Sequence, residues 1–160
     1  MTSDLGLRHG EDLIRVVRKL KALDDKRVLA QFRAELRIAG RPLVPAVRAS
    51  IRRIPSKRPY SAAGLRGQMS KATNMQVKTT GRQASVIIRV DGRKMPARAK
   101  AVQSYMEGVK PRWRHPVFGN TDVWVPQQPN PYFFAVMRTA GPLGRAAVGR
   151  VMDKFSKDLT

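Results

Sequence analysis

The chain contains no cysteine among its 160 residues, which excludes disulfides, thiolate zinc sites and a cysteine nucleophile. Histidine is almost as scarce, because His9 and His115 are the only two and lie too far apart in sequence to predict a metal site. The sequence also has no glycine-rich phosphate loop, nucleophile elbow or paired carboxylates. These absences predict a protein that is not an enzyme and that uses no cofactor, metal or small-molecule substrate.

Long apolar runs are missing as well. Eighteen uninterrupted apolar residues occur nowhere, so no segment is predicted to span a membrane. The first residues, Met-Thr-Ser-Asp-Leu-Gly-Leu-Arg, lack the apolar stretch of a signal peptide, and we expect a soluble protein made in a cytoplasm. With 42% apolar residues in 160, the chain is long enough to bury a core as one domain.

Acidic residues are absent from a long central stretch. Between Glu35 and Asp91 there is none, and residues 41–100 hold fifteen Lys or Arg against one Asp. That window therefore carries fourteen of the twenty-one net positive charges, whereas residues 117–160 are nearly balanced. A field of this size repels copies of the chain and attracts anionic partners. Two interpretations stay open: a face for nucleic acid or acidic proteins, and a solvated basic surface without a partner.

Apolar residues at three- and four-residue spacings predict helices in the first third of the chain. Residues 11–22 form the first helix, and Asp24-Asp25 interrupts its apolar stripe and supplies an N-cap for a second run that ends at Gly40. The sequence leaves open whether these are one bent helix or two. Pro42 fits the first turn of a further helix, which stops at Pro55.

The middle of the chain changes from helical to strand periodicity. Residues 55–61 are predicted to form a basic loop, with Ser61 capping a short helix over 62–72. Residues 74–90 then form a predicted β-hairpin, because apolar and polar residues alternate on both sides of a Thr80-Gly81 turn.

After the hairpin, residues 93–100 are predicted to be a basic surface loop, followed by a short helix before Lys110-Pro111. Val123-Trp124-Val125 reads as a third short strand, and Asn130-Pro131 as the start of a long C-terminal helix that Gly141-Pro142 must kink or split. An apolar seam follows this helix: Phe134, Met137, Gly141, Gly144, Val148, Val151, Met152, Phe155 and Leu159. We interpret the seam as core, with contact to a neighbouring subunit at its end as the alternative.

Together these elements predict an α+β protein with N-terminal helices, a small antiparallel sheet and a long C-terminal helix packed on the sheet. Residues 1–160 form a single domain. Within it we distinguish an N-terminal helical arm (1–54), a middle part with hairpin, basic loops and aromatic turn (55–128), and the C-terminal helix (129–160).

The most distinctive segment is 112–134, which holds both tryptophans, four of the eleven prolines and four of the eight Phe and Tyr residues. Aromatics bury large areas and prolines fix the backbone, so a rigid, shaped connection is predicted. The order is Trp-Arg-His-Pro-Val-Phe-Gly-Asn, a short Trp-Val strand, then Pro-Asn-Pro-Tyr-Phe-Phe opening the last helix. In this order the chain resembles the tail-completion (neck) proteins of long-tailed phages, which are minor tail components of lambda-like siphophages.

The resemblance implies a structural virion protein, located in the neck or tail of a long-tailed bacteriophage and assembled in the host cytoplasm. Proteins of this family form a ring, usually sixfold, through which the genome passes. The implied partners are further copies of the chain in a hexameric ring, the head connector or stopper, and the tail terminator or tail tube. Transient, nonspecific contact with double-stranded DNA in the lumen is also implied.

The resemblance assigns structural positions and no catalytic residue. The signature turn of the family corresponds here to Trp113, His115, Pro116, Val117, Phe118, Gly119 and Asn120. The strand and helix start that follow it correspond to Trp124, Pro131, Phe133 and Phe134.

We expect the basic segments 41–58 and 93–100 to face a partner or DNA, with the arginines of 41–54 displayed opposite the apolar stripe of their helix. The residues are Arg41, Arg48, Arg52, Arg53, Lys57, Arg58, Arg93, Lys94, Arg98 and Lys100. A lumen in which DNA slides should not hold it tightly, which favours acidic protein partners over tight DNA binding. The sequence leaves open which of the two the basic face meets.

Two other functions remain as alternatives. One is a free basic protein that binds the phosphate backbone of nucleic acid without sequence specificity. Tyr60 is the only aromatic in 41–100, so base stacking and sequence-specific recognition are not predicted. The other alternative is a scaffold-like chaperone that is absent from finished particles.

Overall fold

A computed structural model describes residues 5–7, 10–80, 83–117 and 120–157, and the fold is α+β as predicted. The helices are α1 (Gly10–Ala22), α2 (Lys26–Gly40), α3 (Leu43–Arg52), α4 (Leu65–Ala72), α5 (Val102–Met106) and α6 (Phe133–Lys157). The strands are β1 (Leu5–Leu7), β2 (Thr73–Thr80), β3 (Gln83–Val90), β4 (Trp113–Val117) and β5 (Asn120–Gln127). No helix in these ranges has both the length and the apolar content needed to cross a membrane.

The N-terminal arm consists of two helices and not one bent helix. Asp24 turns the chain with a φ of 51°, and the Asp25 carboxylate caps α2 by accepting from the backbone N–H groups of Arg27 and Val28 at 2.8 and 3.3 Å. The predicted end of α2 at Gly40 is confirmed, but for a different reason. A Cβ on Gly40 would lie 2.6 Å from the sulfur of Met75, so glycine leaves room for the Met75 side chain.

The predicted hairpin over 74–90 is confirmed and belongs to a three-stranded antiparallel sheet in the order β1-β3-β2. Val77 pairs with Val86 and Met75 with Ile88, so these apolar residues share the face that lies on the helices. Strand β1 was not predicted, because three residues are too short for a periodicity to register. The Gly81 half of the predicted turn lies outside the described residues.

The helices and this sheet enclose two clusters of buried side chains. One includes Phe32 of α2 and Phe155 of α6, whose rings meet edge-on with centroids 5.0 Å apart. The other includes Val47 of α3, Met69 of α4 and Phe133 of α6. Helix α6 therefore joins both clusters, lying against α3 near its start and α2 near its end, and it also contacts α1 and β1.

Helix α6 departs from the prediction at both its start and its middle. It begins at Phe133, and its first turn is capped from a distance by Glu107 and not by Asn130. The Glu107 carboxylate accepts from the N–H groups of Tyr132 at 2.8 Å, Phe133 at 2.6 Å and Phe134 at 3.1 Å. Of the two outcomes predicted at Gly141-Pro142, a kink or a split, the split is wrong, since one helix of 25 residues continues through Pro142.

The aromatic segment contains a second sheet, which corrects the prediction of a single sheet and an aromatic turn. Strands β4 and β5 pair antiparallel, and the register shifts at Pro116/Val117. The predicted strand at 123–125 is the middle of β5, whereas β4 lies where an aromatic turn was predicted. Phe118 and Gly119, at the tip of this hairpin, lie outside the described residues.

Candidate interaction surfaces

The first candidate surface is the segment 53–64 between α3 and α4, here called the basic loop. The predicted helix over 62–72 begins later, at Leu65. Ser61 therefore does not cap a helix. Its hydroxyl accepts from the N–H of Ala63 at 3.3 Å and its carbonyl from the N–H of Gly64 at 3.1 Å, which makes a turn.

One guanidinium holds the first half of the basic loop. Arg66, on α4, donates through Nη1 to the carbonyls of Arg52 at 3.2 Å and Ile54 at 3.0 Å, and through Nη2 to that of Arg58 at 2.7 Å. The planar fork of arginine suits such multiple donation. The sequence analysis missed Arg66, because its three acceptors are backbone carbonyls that lie eight to fourteen positions away. No local sequence pattern predicts such bonds.

The ring of Tyr60 lies close to two arginine side chains. The guanidinium carbons of Arg52 and Arg66 lie 5.7 and 5.8 Å from its centroid, within cation–π range. The side chain is 41% exposed. The one aromatic of the basic window is therefore engaged by arginines of the same surface.

The second half of the basic loop lies directly on α4. A Cβ on Gly67 would be 2.3 Å from the carbonyl oxygen of Ala62, so only glycine allows this approach. The Gln68 side-chain amide donates to the carbonyl of Ala63 at 2.9 Å. Both halves of the basic loop are thus held by residues of α4.

The predicted basic residues of 41–58 divide into displayed and structural groups. Five are exposed: Arg41, Arg52, Arg53, Lys57 and Arg58. Arg48 is half-buried and donates to the carbonyls of Ser70 at 3.0 Å and Thr73 at 2.9 Å. Arg48 is therefore not fully displayed as predicted, because its guanidinium binds carbonyls where α4 passes into β2.

The segment 93–100 is more structured than a plain surface loop. It contains short 3₁₀ turns at Gly92–Lys94 and Ala97–Ala99, and the buried Met95 and Ala99 anchor it to the core. Its basic side chains are exposed: Arg93, Lys94, Arg98 and Lys100.

Arg93 is nevertheless committed to the buried carboxylate of Asp91. Its Nε and Nη2 each lie 3.0 Å from one carboxylate oxygen, and Arg89 adds a contact at 3.6 Å. The hydrogen bond from the Arg93 side chain, followed by its backbone bond and the two positive charges, lowers the pKa of Asp91 to about 2 against the opposing effect of burial. Asp91 therefore stays ionised and neutralises part of the positive charge of this segment.

The second candidate surface is the β4–β5 hairpin. Paired residues project on the same side of a sheet, so Trp113, His115 and Val125 share one face. The ring of Trp113 lies on the core and 5.4 Å from those of His115 and Tyr105. This face attaches the hairpin to the body of the protein.

The opposite face of the hairpin carries Arg114, Pro116, Trp124 and Pro126. Trp124 is 44% exposed, and its indole N–H donates to the carbonyl of Thr121 at 2.6 Å, which orients the ring. A face that combines an arginine, two prolines and an oriented, exposed tryptophan is typical of a contact surface for another protein.

The residues of the predicted family signature are not gathered in one site. Trp113 and His115 lie together and Phe133 is buried in the core, while Asn120, Trp124 and Pro131 are exposed and Phe134 is 37% exposed. Nothing is described for the side chain of Val117. Within the described ranges, no group of three or more His, Cys, Asp or Glu residues could hold a metal ion.

No protein-family model, no curated protein and no solved structure matches the chain. The resemblance drawn from residues 112–134 therefore stays a prediction, and the function is argued from the two surfaces.

Proposed function

We propose that the protein is a non-enzymatic structural component of a long-tailed bacteriophage, forming a ring in the neck between the head connector and the tail. The observation that carries this proposal is the segment 112–134, whose residue order resembles that of neck proteins and which forms a hairpin with an uncovered face. A two-stranded sheet alone is marginally stable in water. A neighbouring subunit or ring that covers Trp124 would stabilise it.

The charge distribution also supports a place inside an assembly. A net charge of +21 opposes the association of like copies. In the proposed ring the repulsion is offset by DNA in the passage or by acidic neighbouring rings. The hairpin then serves contact between proteins, while the basic loop faces the anionic partner.

The test is the copy number of this protein in purified virions of the phage that encodes it, measured by quantitative mass spectrometry against the portal protein. A few copies per particle, matching one ring, is the expected result. Absence from finished particles would overturn the proposal and leave the scaffold-like chaperone or the free nucleic-acid-binding protein.

The same measurement on two variants tests the role of the hairpin. Trp124→Ser removes the exposed tryptophan and should lower incorporation severalfold. Leu143→Ser is the matched control, because Leu143 is 73% exposed on α6, away from the hairpin. Normal incorporation of Trp124→Ser, or equal loss for both variants, would contradict the assignment of the hairpin as a contact surface.

A further inference from the structure

We propose that the basic loop binds the phosphate backbone of duplex DNA without sequence preference, and that Arg66 positions the loop for this contact. The proposal rests on the proposed function in one respect: it is in the phage neck that the protein meets DNA. Binding by the isolated protein can nevertheless be measured without any virion.

The cations of the loop suit a polyanion. Arg53 and Lys57 are exposed in the loop and Arg52 directly before it, and no residue between 36 and 90 is acidic. Duplex DNA carries about one negative charge per 1.7 Å of axis, so adjacent phosphates can meet several cations of one loop. Each phosphate contact releases counterions, which makes the binding salt-dependent.

The loop is held in one shape before any partner arrives. Arg66 binds the carbonyls of Ile54 and Arg58 in the loop and that of Arg52 directly before it, and Gly67 and Gln68 hold the segment around Ala62. A pre-organised surface loses less conformational entropy when it binds. The N–H groups of Arg66 donate to backbone carbonyls in and next to the loop. Arg66 is therefore a positioning residue and not a phosphate ligand.

The composition of the loop favours DNA over an acidic protein. Protein interfaces bury a core of aromatic and apolar side chains inside a polar rim. Here Tyr60 is already engaged by Arg52 and Arg66, while the exposed apolar residues Val123 and Trp124 lie on the hairpin. For the same reason Tyr60 is not a free platform for bases, which predicts backbone contact without sequence preference.

The experiment measures binding of the isolated protein to two short fluorescent duplexes of unrelated sequence, by anisotropy between about 50 and 200 mM salt. Arg53→Gln/Lys57→Gln should lower the slope of log affinity against log salt by about 2, equally for both duplexes. Arg18→Gln/Lys19→Gln is the control, since it removes the same charge from exposed positions on α1. Equal effects of both double variants, or no binding at the lowest salt, would overturn the proposal.

Arg66→Lys tests the positioning role, because it keeps the charge but replaces the planar fork, whose two nitrogens reach different carbonyls, with a single nitrogen. We expect several-fold weaker binding with an unchanged salt slope, and faster trypsin cleavage after Arg53 and Lys57. Addition of duplex DNA to the unsubstituted protein should slow that cleavage. Affinity and cleavage equal to those of the unsubstituted protein would refute the role of Arg66.

Polyglutamate serves as the competing probe for an acidic protein surface. Both competitors are compared at equal concentrations of negative charge. If polyglutamate displaces the protein from labelled DNA more readily than unlabelled duplex does, the loop is a site for acidic proteins and the DNA proposal fails. A failure here leaves the neck proposal intact when the virion copy number matches a ring. Absence from virions together with loop-dependent DNA binding would leave this proposal standing and remove the other.

Discussion

Glu107 is one of eleven acidic residues in a chain of net charge +21, and its carboxylate is buried against the start of α6. Three backbone N–H groups donate to it there, where the helix dipole also favours a negative charge. Asp25 does the same at the start of α2. At the residue scale, these two acids complete local structure at helix starts, whereas residues 36–90 contain no acidic residue.

Tyr132 shows the electrostatic consequence of this arrangement. Burial, and after it the nearby charge of Glu107, raise the pKa of the Tyr132 hydroxyl far above its ordinary value. The hydroxyl therefore stays neutral at physiological pH. Its oxygen has no hydrogen-bond partner among the described residues, so the ring is held there by packing.

Asp91 predicts how stability depends on acid. Its pKa is about 2 in the folded protein and 3.8 in the unfolded chain, so the unfolded state binds the proton more tightly. The stabilisation from Asp91 is then fully present above about pH 4 and is lost as the pH falls towards 2. Urea unfolding across this range should show Asp91→Asn less stable than the unsubstituted protein at pH 6, with the difference shrinking below pH 4.

Asp12→Asn is the control for that measurement. Asp12 pairs with Arg15 at 3.4 Å but is 72% exposed, so solvent screens the pair. The acid limb of the stability profile should not change in this variant. A difference between Asp91→Asn and the unsubstituted protein that stays constant down to pH 2 would contradict the assignment.

At the scale of elements, α6 explains how a proline is tolerated inside a helix. Pro142 lacks the N–H that would donate to the carbonyl four residues earlier, a loss that costs about 3 kcal/mol in an isolated helix. Here Phe133 and Phe155, on either side of Pro142, are buried in different clusters. Packing at both ends keeps the helix continuous at a position where the sequence alone predicts a kink or a split.

Helix α4 and the basic loop form one structural unit, which Gly67→Ala should disrupt. The added methyl would meet the Ala62 carbonyl at 2.3 Å, so either the loop or the helix must move. We expect the free energy of unfolding in urea to fall by about 1 to 3 kcal/mol, and the loop to be cleaved faster by trypsin.

Gly149→Ala is the matched control on α6, because nothing lies within 4 Å of the added Cβ. There the better helix propensity of alanine should leave stability unchanged or raise it by up to about 1 kcal/mol. Unchanged stability and cleavage of Gly67→Ala would show that the loop is not held by its contact with α4.

At the scale of the whole molecule, repulsion among cations is the dominant electrostatic feature. The net charge is +21, and within the described ranges Asp12, Glu35 and Asp91 form salt bridges with basic residues. Self-repulsion of this size destabilises a compact state. The fold must offset it by burial of its two apolar clusters.

Salt should therefore stabilise the isolated protein. Raising sodium chloride from about 0.1 to 1 M shortens the Debye length from about 10 to 3 Å, which screens the repulsion. We expect the midpoint of urea unfolding to rise with salt while its slope stays constant. A midpoint that falls with salt would mean that attractive ion pairs outweigh the repulsion.

Much of the fold follows from short-range patterns in the sequence. The stripe over 11–22, the cap at Asp25 and the alternation over 74–90 predict α1, α2 and the first hairpin, because each depends on neighbours within four positions. Strand β4 was missed, since Pro116 argues against a strand unless its partner is known. The start of α6 was misplaced because its cap, Glu107, lies 25 positions from Tyr132.

The sequence by itself determined the net charge, its concentration in residues 41–100 and the periodicity of most helices and strands. Only the tertiary structure decided which cations are displayed: it turned Arg48 inward and used Arg66 to hold the basic loop. The physical reason is that periodicity records neighbours along one element. The hydrogen bonds of Arg48 and Arg66 end on carbonyls of other segments, which only folding brings within reach.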